Sequence, residues 1–173
     1  MENAIKAQTK THIYSSQQAS HLTTSIVTGQ IAGLIMAVAV MAVFTVLGKG
    51  PLYPVQVIGS LALGESALVG TNFLAILAGL VLHQLGPSLM WGVIFYLLTP
   101  KKEKLSTTKA LTFGAVISVI SMAGPYILIP FLMNLFHGVD IWNREVPMFW
   151  DWIAHIIFGL SFTLYPKIQE KLS

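Results

Sequence analysis

The sequence contains no cysteine, and this absence excludes several kinds of site at once. Without a thiol there is no disulfide, no thiolate metal site, no iron–sulfur cluster and no covalently attached c-type haem. Charge is also scarce, because only 10% of the 173 residues are Asp, Glu, Lys or Arg, against about 25% in average soluble domains. The motifs of serine hydrolases, phosphate-binding loops and HExxH zinc enzymes are missing as well, so we expect no enzyme.

Apolar residues, in contrast, make up 54% of the chain. A soluble fold of this size cannot cover so much apolar surface with so few polar side chains. The composition therefore predicts an integral membrane protein whose first partner is the lipid bilayer. The net charge of +3 comes without a basic stripe interleaved with aromatic residues, so nucleic acid is not an expected partner.

Four apolar runs predict an all-α protein built as a membrane four-helix bundle. A helix needs about 20 residues to cross the roughly 30 Å hydrocarbon core, and only the last run is shorter than this. The predicted transmembrane domain covers residues 26–166, between a loosely ordered polar tail at 1–25 and a short tail at 167–173. Pro125 and Pro130 are predicted to kink or break the third span near its far end. The four spans are residues 26–47, 73–98, 110–135 and 148–165.

The placement of lysine and arginine orients these spans. With four crossings, eight of the ten cationic side chains fall on one side, and only Lys49 and Arg144 fall on the other. The positive-inside rule assigns the lysine-rich side to the cytoplasm. Both termini are therefore predicted to be cytoplasmic, in a bacterial inner membrane. Residues 54–70 are too short for a fifth crossing and are predicted to form an outer interfacial helix, with a re-entrant path as the alternative.

A weak internal repeat joins the two halves of the chain. "WGVIFYLLTPKK", from Trp91, and "FGLSFTLYPKI", from Phe158, share an aromatic residue, a glycine, two apolar residues, a phenylalanine and an exit Pro-Lys. One interpretation is a duplicated helical hairpin. The other is that helix exits in membranes resemble one another. In this alignment Ser88 corresponds to His155.

Small residues recur at four-residue spacing within the spans, a pattern that lets membrane helices approach closely. The same faces serve contacts inside one chain and contacts between copies, so a homo-oligomer or a larger membrane complex remains open. The glycines predicted to pack in this way are Gly29, Gly33, Gly79, Gly92 and Gly159.

Few polar side chains interrupt the spans, and an ionisable group at a helix centre costs roughly 2.5–3.5 kcal/mol on insertion. His83 and Gln84 lie near the middle of the second span. Asp151 and His155 lie in the outer half of the fourth. At 1.5 Å per residue the two imidazoles are about 15 and 10 Å from the outer ends of their spans, so we expect them at similar depth. Asp151, one turn before His155, is placed to accept its hydrogen bond and fix its tautomer.

Three interpretations of these side chains stay open. The favoured one is structural: His83, Asp151 and His155 hydrogen-bond across helices and hold the bundle together. The second is a proton or cation relay that also uses Gln84, with Ser88 as a neighbouring candidate. The third is a b-type haem held by the two histidines, since paired His ligands in a helical bundle suit that cofactor.

A fourth possibility is a metal site at the outer surface, where "FHGVDIWNREVPMFWD" gathers several ligand types. Its weak candidates are His137, Asp140 and Glu145. Their spacing matches no known metal motif, so we predict no metal and no cofactor.

Three runs carry a resemblance to a known group: "GPLYPVQVIGSLALGES", "LVLHQLGPSLMWGVIF" and "WIAHIIFGLSFTLY". On these runs the chain resembles small uncharacterised bacterial four-span membrane proteins, some of them labelled sodium:proline symporters. A secondary transporter is built from broken helices in larger repeats, so the resemblance implies the topology and no activity. It marks His83, Ser88, Gly92, His155 and Gly159 as motif positions. We therefore expect a non-enzymatic membrane subunit or scaffold.

Overall fold

The computed structural model describes residues 2–100 and 104–172, with side chains from residue 20 onward. Every regular element within these residues is helical, which confirms the all-α prediction for this part of the chain. Lys101 and Lys102, which contribute to the charge asymmetry, lie outside it. The α-helices are α1 (Glu2–Val46), α2 (Tyr53–Leu63), α3 (Phe73–His83), α4 (Leu89–Leu98), α5 (Thr107–Ile120), α6 (Ile129–His137), α7 (Ile141–Glu145), α8 (Met148–Ser161) and α9 (Tyr165–Leu172).

Three helical stretches of the described chain are long and apolar enough to cross a membrane: Ser20–Val46, Phe73–Leu98 and Thr107–His137. They correspond to the first three predicted spans, and the second has the predicted bounds. The predicted fourth span, 148–165, is not among them, since Asp151 and His155 lower its mean hydropathy. It is nonetheless helical, passing from α8 through a 3₁₀ turn into α9.

The polar amino-terminal tail differs from expectation. It was predicted to be loosely ordered, but α1 already begins at Glu2 and continues without interruption into the first apolar stretch. Alanine, glutamine and lysine, all good helix formers, supply eight of its residues. The tail therefore extends the first helix by several turns.

The second and third apolar stretches each contain a π-helical turn. One covers Gln84–Ser88 and includes Pro87; the other covers Gly124–Leu128 and includes Pro125. Proline lacks an N–H and cannot continue the α-helical bonding pattern, and π-helical turns are one way to absorb the interruption. In the third stretch the irregularity begins before both predicted prolines. Pro130 lies in the first turn of α6, where proline is tolerated.

The helices on either side of each π-helical turn pack on different partners. Before the first turn α3 packs on α2, and after it α4 packs on α1. Before the second turn α5 packs on α8, and after it α6 packs on α7 and α2. Aromatic side chains fill the space between α4, α5 and α8, where the Phe95 and Phe162 rings stack 4.6 Å apart.

Helix α2 is not a separate surface helix. A Cβ on Gly59 would overlap the carbonyl of Ala75, and one on Gly79 would overlap the carbonyl of Val55. These pairs run in opposite directions along the chain, so α2 and α3 form a tight antiparallel hairpin. Gln56, buried in α2, donates to the carbonyl of Ala67 at 2.7 Å and so ties down the loop that follows.

Candidate functional site

A cavity with a volume of about 250 Å³ lies between the two π-helical turns. Gly86 and Pro87 line one side, and Gly124 and Pro125 line the other. Most of the wall is apolar. Its hydrogen-bonding side chains are His83, Ser88, Ser121, His155 and the two indoles Trp91 and Trp142.

Some side chains that line the cavity, on the second and third apolar stretches, are also exposed at the surface. Met90 and Leu128 both line it, and they are 44% and 51% exposed. The cavity therefore borders the apolar surface on this side of the helices.

His83 is held by the first helix. Its Nε2 lies 3.1 Å from the carbonyl oxygen of Gly33. Because a carbonyl only accepts, Nε2 carries the hydrogen and donates it. Nδ1 then holds a lone pair and has no hydrogen-bond partner among the described residues.

An amide pair lies beside His83. The Gln30 amide donates to the backbone carbonyl of Gln84 at 2.9 Å, and the Gln84 amide donates to the side-chain oxygen of Gln30 at 3.1 Å. Ser88 completes the group by donating to the side-chain oxygen of Gln84 at 3.1 Å. Gln84 and Ser88 were predicted as relay candidates. In the structure they belong to a hydrogen-bonded group that joins two helices through Gln30, a residue that the sequence analysis did not identify.

His155 is held by the third helical stretch. Its Nδ1 lies 2.6 Å from the hydroxyl of Ser121, and that hydroxyl lies 3.1 Å from the carbonyl oxygen of Ser118. The N–H of Met122, which would reach Ser118 in a regular α-helix, bonds to Val119 instead. The single Ser121 hydrogen serves either Ser118 or Nδ1 of His155, and the tautomer of His155 decides which of the two it is. Nε2, the other ring nitrogen, has no hydrogen-bond partner among the described residues.

Asp151 does not accept the hydrogen bond expected from His155. Its Oδ2 accepts from the indole Nε1 of Trp142 at 3.0 Å. A spacing of four residues places two side chains on one helix face, but Ser121 lies closer to the imidazole. Asp151 lines a second, smaller cavity of about 70 Å³, and His83 lines both cavities.

The five predicted packing glycines all lie at close helix crossings. An added Cβ on each of them would come within 3.0 Å of another helix. The close neighbours are Gly92 for Gly29, Ser88 for Gly33, Val55 for Gly79, Ser25 for Gly92 and Gly114 for Gly159. Gly59 and Gly114 were missed, although Gly114 and Ser118 repeat the four-residue spacing that marked the others.

A cluster of charged side chains lies at the end of the protein where α1 meets α2. Glu145 accepts from Lys49 at 3.0 Å, from Tyr53 at 2.5 Å and from Arg144 at 2.9 Å. Arg144 also donates to Glu65. Burial alone would raise the pKa of Glu145, but these hydrogen bonds outweigh it and lower the pKa to about 2. Burial and the bond to Glu145 raise the pKa of Tyr53 to about 12.

The three weak metal candidates do not converge. His137 bonds to the carbonyl of Leu61 at 3.0 Å, Asp140 caps α7 by accepting from Asn143, and Glu145 belongs to the charged cluster. Among the side chains of residues 20–100 and 104–172, no three His, Asp or Glu are grouped closely enough to hold a metal ion.

The volume of the cavity argues against the haem interpretation. The cavity that both histidines line is smaller than the roughly 300–1,000 Å³ typical for drug-sized ligands, and a porphyrin is larger still. Nε2 of His83 is also already bonded to Gly33.

Comparison with protein families, curated proteins and solved structures finds no match to this chain.

Proposed function

We propose that the protein is a four-span membrane protein with both termini in the cytoplasm, and that it acts as a non-enzymatic subunit or scaffold. The observation that carries this proposal is an outward-facing apolar surface around a partly polar interior. Val46, Phe73 and Val69 are 88%, 79% and 76% exposed, whereas Thr24, Ser25 and Thr28 are completely buried. Such exposure is unfavourable in water and suits lipid.

The packing of α8 supports a fourth crossing. This helix lies against both α1 and α5, so it accompanies two helices that are suited to span. The segment 148–164 covers about 25 Å at 1.5 Å per residue. Lys49 and Arg144, the two cations predicted outside, meet on Glu145 at one end of the bundle. Leu105 and Tyr165 meet in the core cluster toward the other end.

The topology is tested with single-cysteine variants, since the natural chain has no cysteine. Ser173→Cys and Ser106→Cys should resist an impermeant maleimide in intact cells and react after permeabilisation. Lys49→Cys and Asn143→Cys should react in both conditions. Labelling of the two carboxyl-side positions, Asn143 and Ser173, from the same side of the membrane would remove the fourth crossing.

A relay is the second candidate, and one observation favours it. His83 lines both cavities, Asp151 lines the smaller one and His155 the larger one. His83 therefore lies between two spaces that border the other two groups, and each space is large enough for water, which needs only about 10–15 Å³.

Liposomes that contain a pH-sensitive dye test the relay. If the relay operates, the unmodified protein conducts protons or cations, and Asp151→Asn slows this flux without loss of folded protein. Asp140→Asn is the matched control, because Asp140 only caps α7. Absence of flux in the unmodified protein removes this candidate and leaves the scaffold proposal intact.

A further inference from the structure

We propose that the smaller cavity binds a small primary ammonium ion that carries a short apolar chain. Asp151 and His83 line this cavity of about 70 Å³, together with the rings of Phe44, Trp142 and Trp150. The inference goes beyond a scaffold or a relay, because it assigns the buried carboxylate a ligand of defined charge and size.

Asp151 is a buried carboxylate without a cationic partner. The residue is 4% exposed, and no Lys, Arg or His side chain in the described part of the chain forms an ion pair with it. Its carboxylate accepts one hydrogen bond there, from the neutral indole of Trp142 at 3.0 Å. An ionised carboxylate in such surroundings is costly unless a positive charge accompanies it. A cationic ligand therefore supplies the charge that the neighbouring side chains do not.

The second oxygen of this carboxylate is open to the cavity. The Trp142 indole donates to Oδ2, and Oδ1 accepts no hydrogen bond from the described residues. Among these residues, the fully enclosed side-chain polar atoms without a partner are the hydroxyls of Ser25 and Tyr126. Oδ1 is therefore not sealed by packing, and Asp151 lines the smaller cavity. Because a carboxylate oxygen of an ionised aspartate only accepts, this site does not depend on the position of any hydrogen in the protein.

The wall of the cavity suits an organic cation better than a metal ion. Asp151 provides the only side-chain oxygens among the described residues that line it, whereas Ca²⁺ takes six to eight oxygen ligands. Three aromatic rings line it instead, and aromatic rings attract a cation most strongly where water is excluded. The indole N–H of Trp150 is a donor and cannot bind an ammonium, so Trp150 contributes through its ring.

Size and hydrogen-bonding capacity favour a primary ammonium with a short chain. The volume of about 70 Å³ holds several water molecules at about 10–15 Å³ each, and therefore a ligand of only a few heavy atoms. A quaternary ammonium has no N–H to donate to Asp151. An alcohol of the same length brings a hydrogen but no positive charge.

Tryptophan fluorescence of the full-length protein in detergent micelles tests the proposal, because Trp142 and Trp150 line the cavity. The probe is propylammonium chloride, at an ionic strength held constant with tetramethylammonium chloride, a cation without an N–H. The control ligands in the same background are 1-propanol, which has the same length without the charge, and sodium chloride. We expect a saturable change with propylammonium at a concentration at least tenfold lower than with either control, because a hydrogen bond to a charged group is worth a factor of ten or more.

Two variants locate the binding. Asp151→Asn removes the charge and keeps an acceptor for Trp142, so it should weaken propylammonium at least tenfold. Asp140→Asn is its control, since Asp140 caps α7. Ala37→Leu fills the cavity from α1 and leaves the carboxylate in place, so it should abolish the saturable change. Ala42→Leu, at an exposed position of the same helix, is its control.

An equal response to propylammonium and to 1-propanol or sodium would overturn the proposal, as would the lack of any saturable response in the unmodified protein. A response that survives both Asp151→Asn and Ala37→Leu would place the ligand elsewhere, and the proposal would be wrong. If Asp151→Asn does not fold, the comparison of ligands in the unmodified protein and in Ala37→Leu still decides. None of these measurements needs flux or a particular orientation of the termini, so failure of the relay or of the topology proposal is distinguishable.

Discussion

Gly114 and Gly159 meet backbone to backbone where α5 crosses α8: a Cβ on either glycine would overlap the carbonyl oxygen of the other. Gly29 and Gly92 also lie together where α1 crosses α4, but there an added Cβ on Gly29 would overlap the Ser88 carbonyl and one on Gly92 would approach the Ser25 carbonyl. In each predicted hairpin, a pair of glycines thus lies where the two helices cross. The repeat alignment pairs Gly92 with Gly159. A duplicated hairpin remains a prediction that these matching crossings favour.

Gly159→Ala should lower the free energy of unfolding by about 1–3 kcal/mol, because overpacking forces the two helices apart. Thermal unfolding in detergent, followed by circular dichroism, measures the change. Gly124→Ala is the matched control: a Cβ there meets nothing within 4 Å, so its effect should stay within about 0.5 kcal/mol. Equal effects of the two substitutions would show that the crossing is looser than described.

Gln30→Leu should destabilise the protein by about 0.5–1.5 kcal/mol, because it removes the acceptor of the half-buried Gln84 amide and one of the two donors to the Gln84 carbonyl, which keeps the Leu89 N–H. A double-mutant cycle with Gln84→Leu separates this effect from packing. Contacting residues show coupling of about 0.5–3 kcal/mol, and additive losses would contradict the amide pair. The same detergent unfolding assay provides the data.

Asp151→Ala should cost about 1–3 kcal/mol, since it leaves the Trp142 indole N–H unpaired. Asp151→Asn retains an acceptor oxygen and should cost less. Adding Trp142→Phe to each variant tests this assignment. If the hydrogen bond causes the difference, the alanine and asparagine variants should have similar free energies of unfolding once the indole is removed. A difference that persists without the indole would point to another role for the carboxylate.

The charged cluster should make the free energy of unfolding depend on pH in the acidic range. The pKa of Glu145 is lowered from 4.5 to about 2 in the folded protein. Its contribution is therefore complete above pH 4.5 and is lost as the pH falls toward 2. Stability measured across this window should decline less steeply in Glu145→Gln than in the unmodified protein, and Asp140→Asn is the matched control. Parallel curves would refute the ion cluster.

The apolar stretches could be located from the sequence because composition directly determines which helices can face lipid. The second stretch ends where predicted, since Asn72 caps α3 by accepting from Ala75 and Pro100 follows α4. The fourth stretch is harder to recognise, because Asp151 and His155 lower its mean hydropathy. Only its packing against α1 and α5 distinguishes it.

The site could be predicted only in part. The sequence placed His83 and His155 at similar depth, and both line one cavity. Their hydrogen-bond partners could not be derived, because Ser121 is 34 residues from His155 and Gly33 is 50 residues from His83. Helical periodicity describes one helix face and gives no information about which neighbouring helix supplies the partner.

The two π-helical turns have a consequence for insertions and deletions. One residue added to an α-helix rotates all following residues about the helix axis by about 100°. At the first π-helical turn this change of direction accompanies a change of partner, since α3 packs on α2 and α4 packs on α1. Deleting Gly86 would restore the α-helical phase and swing Trp91 and Phe95 out of the aromatic core. Chains of this architecture should therefore tolerate length changes in their loops and reject them at these two turns.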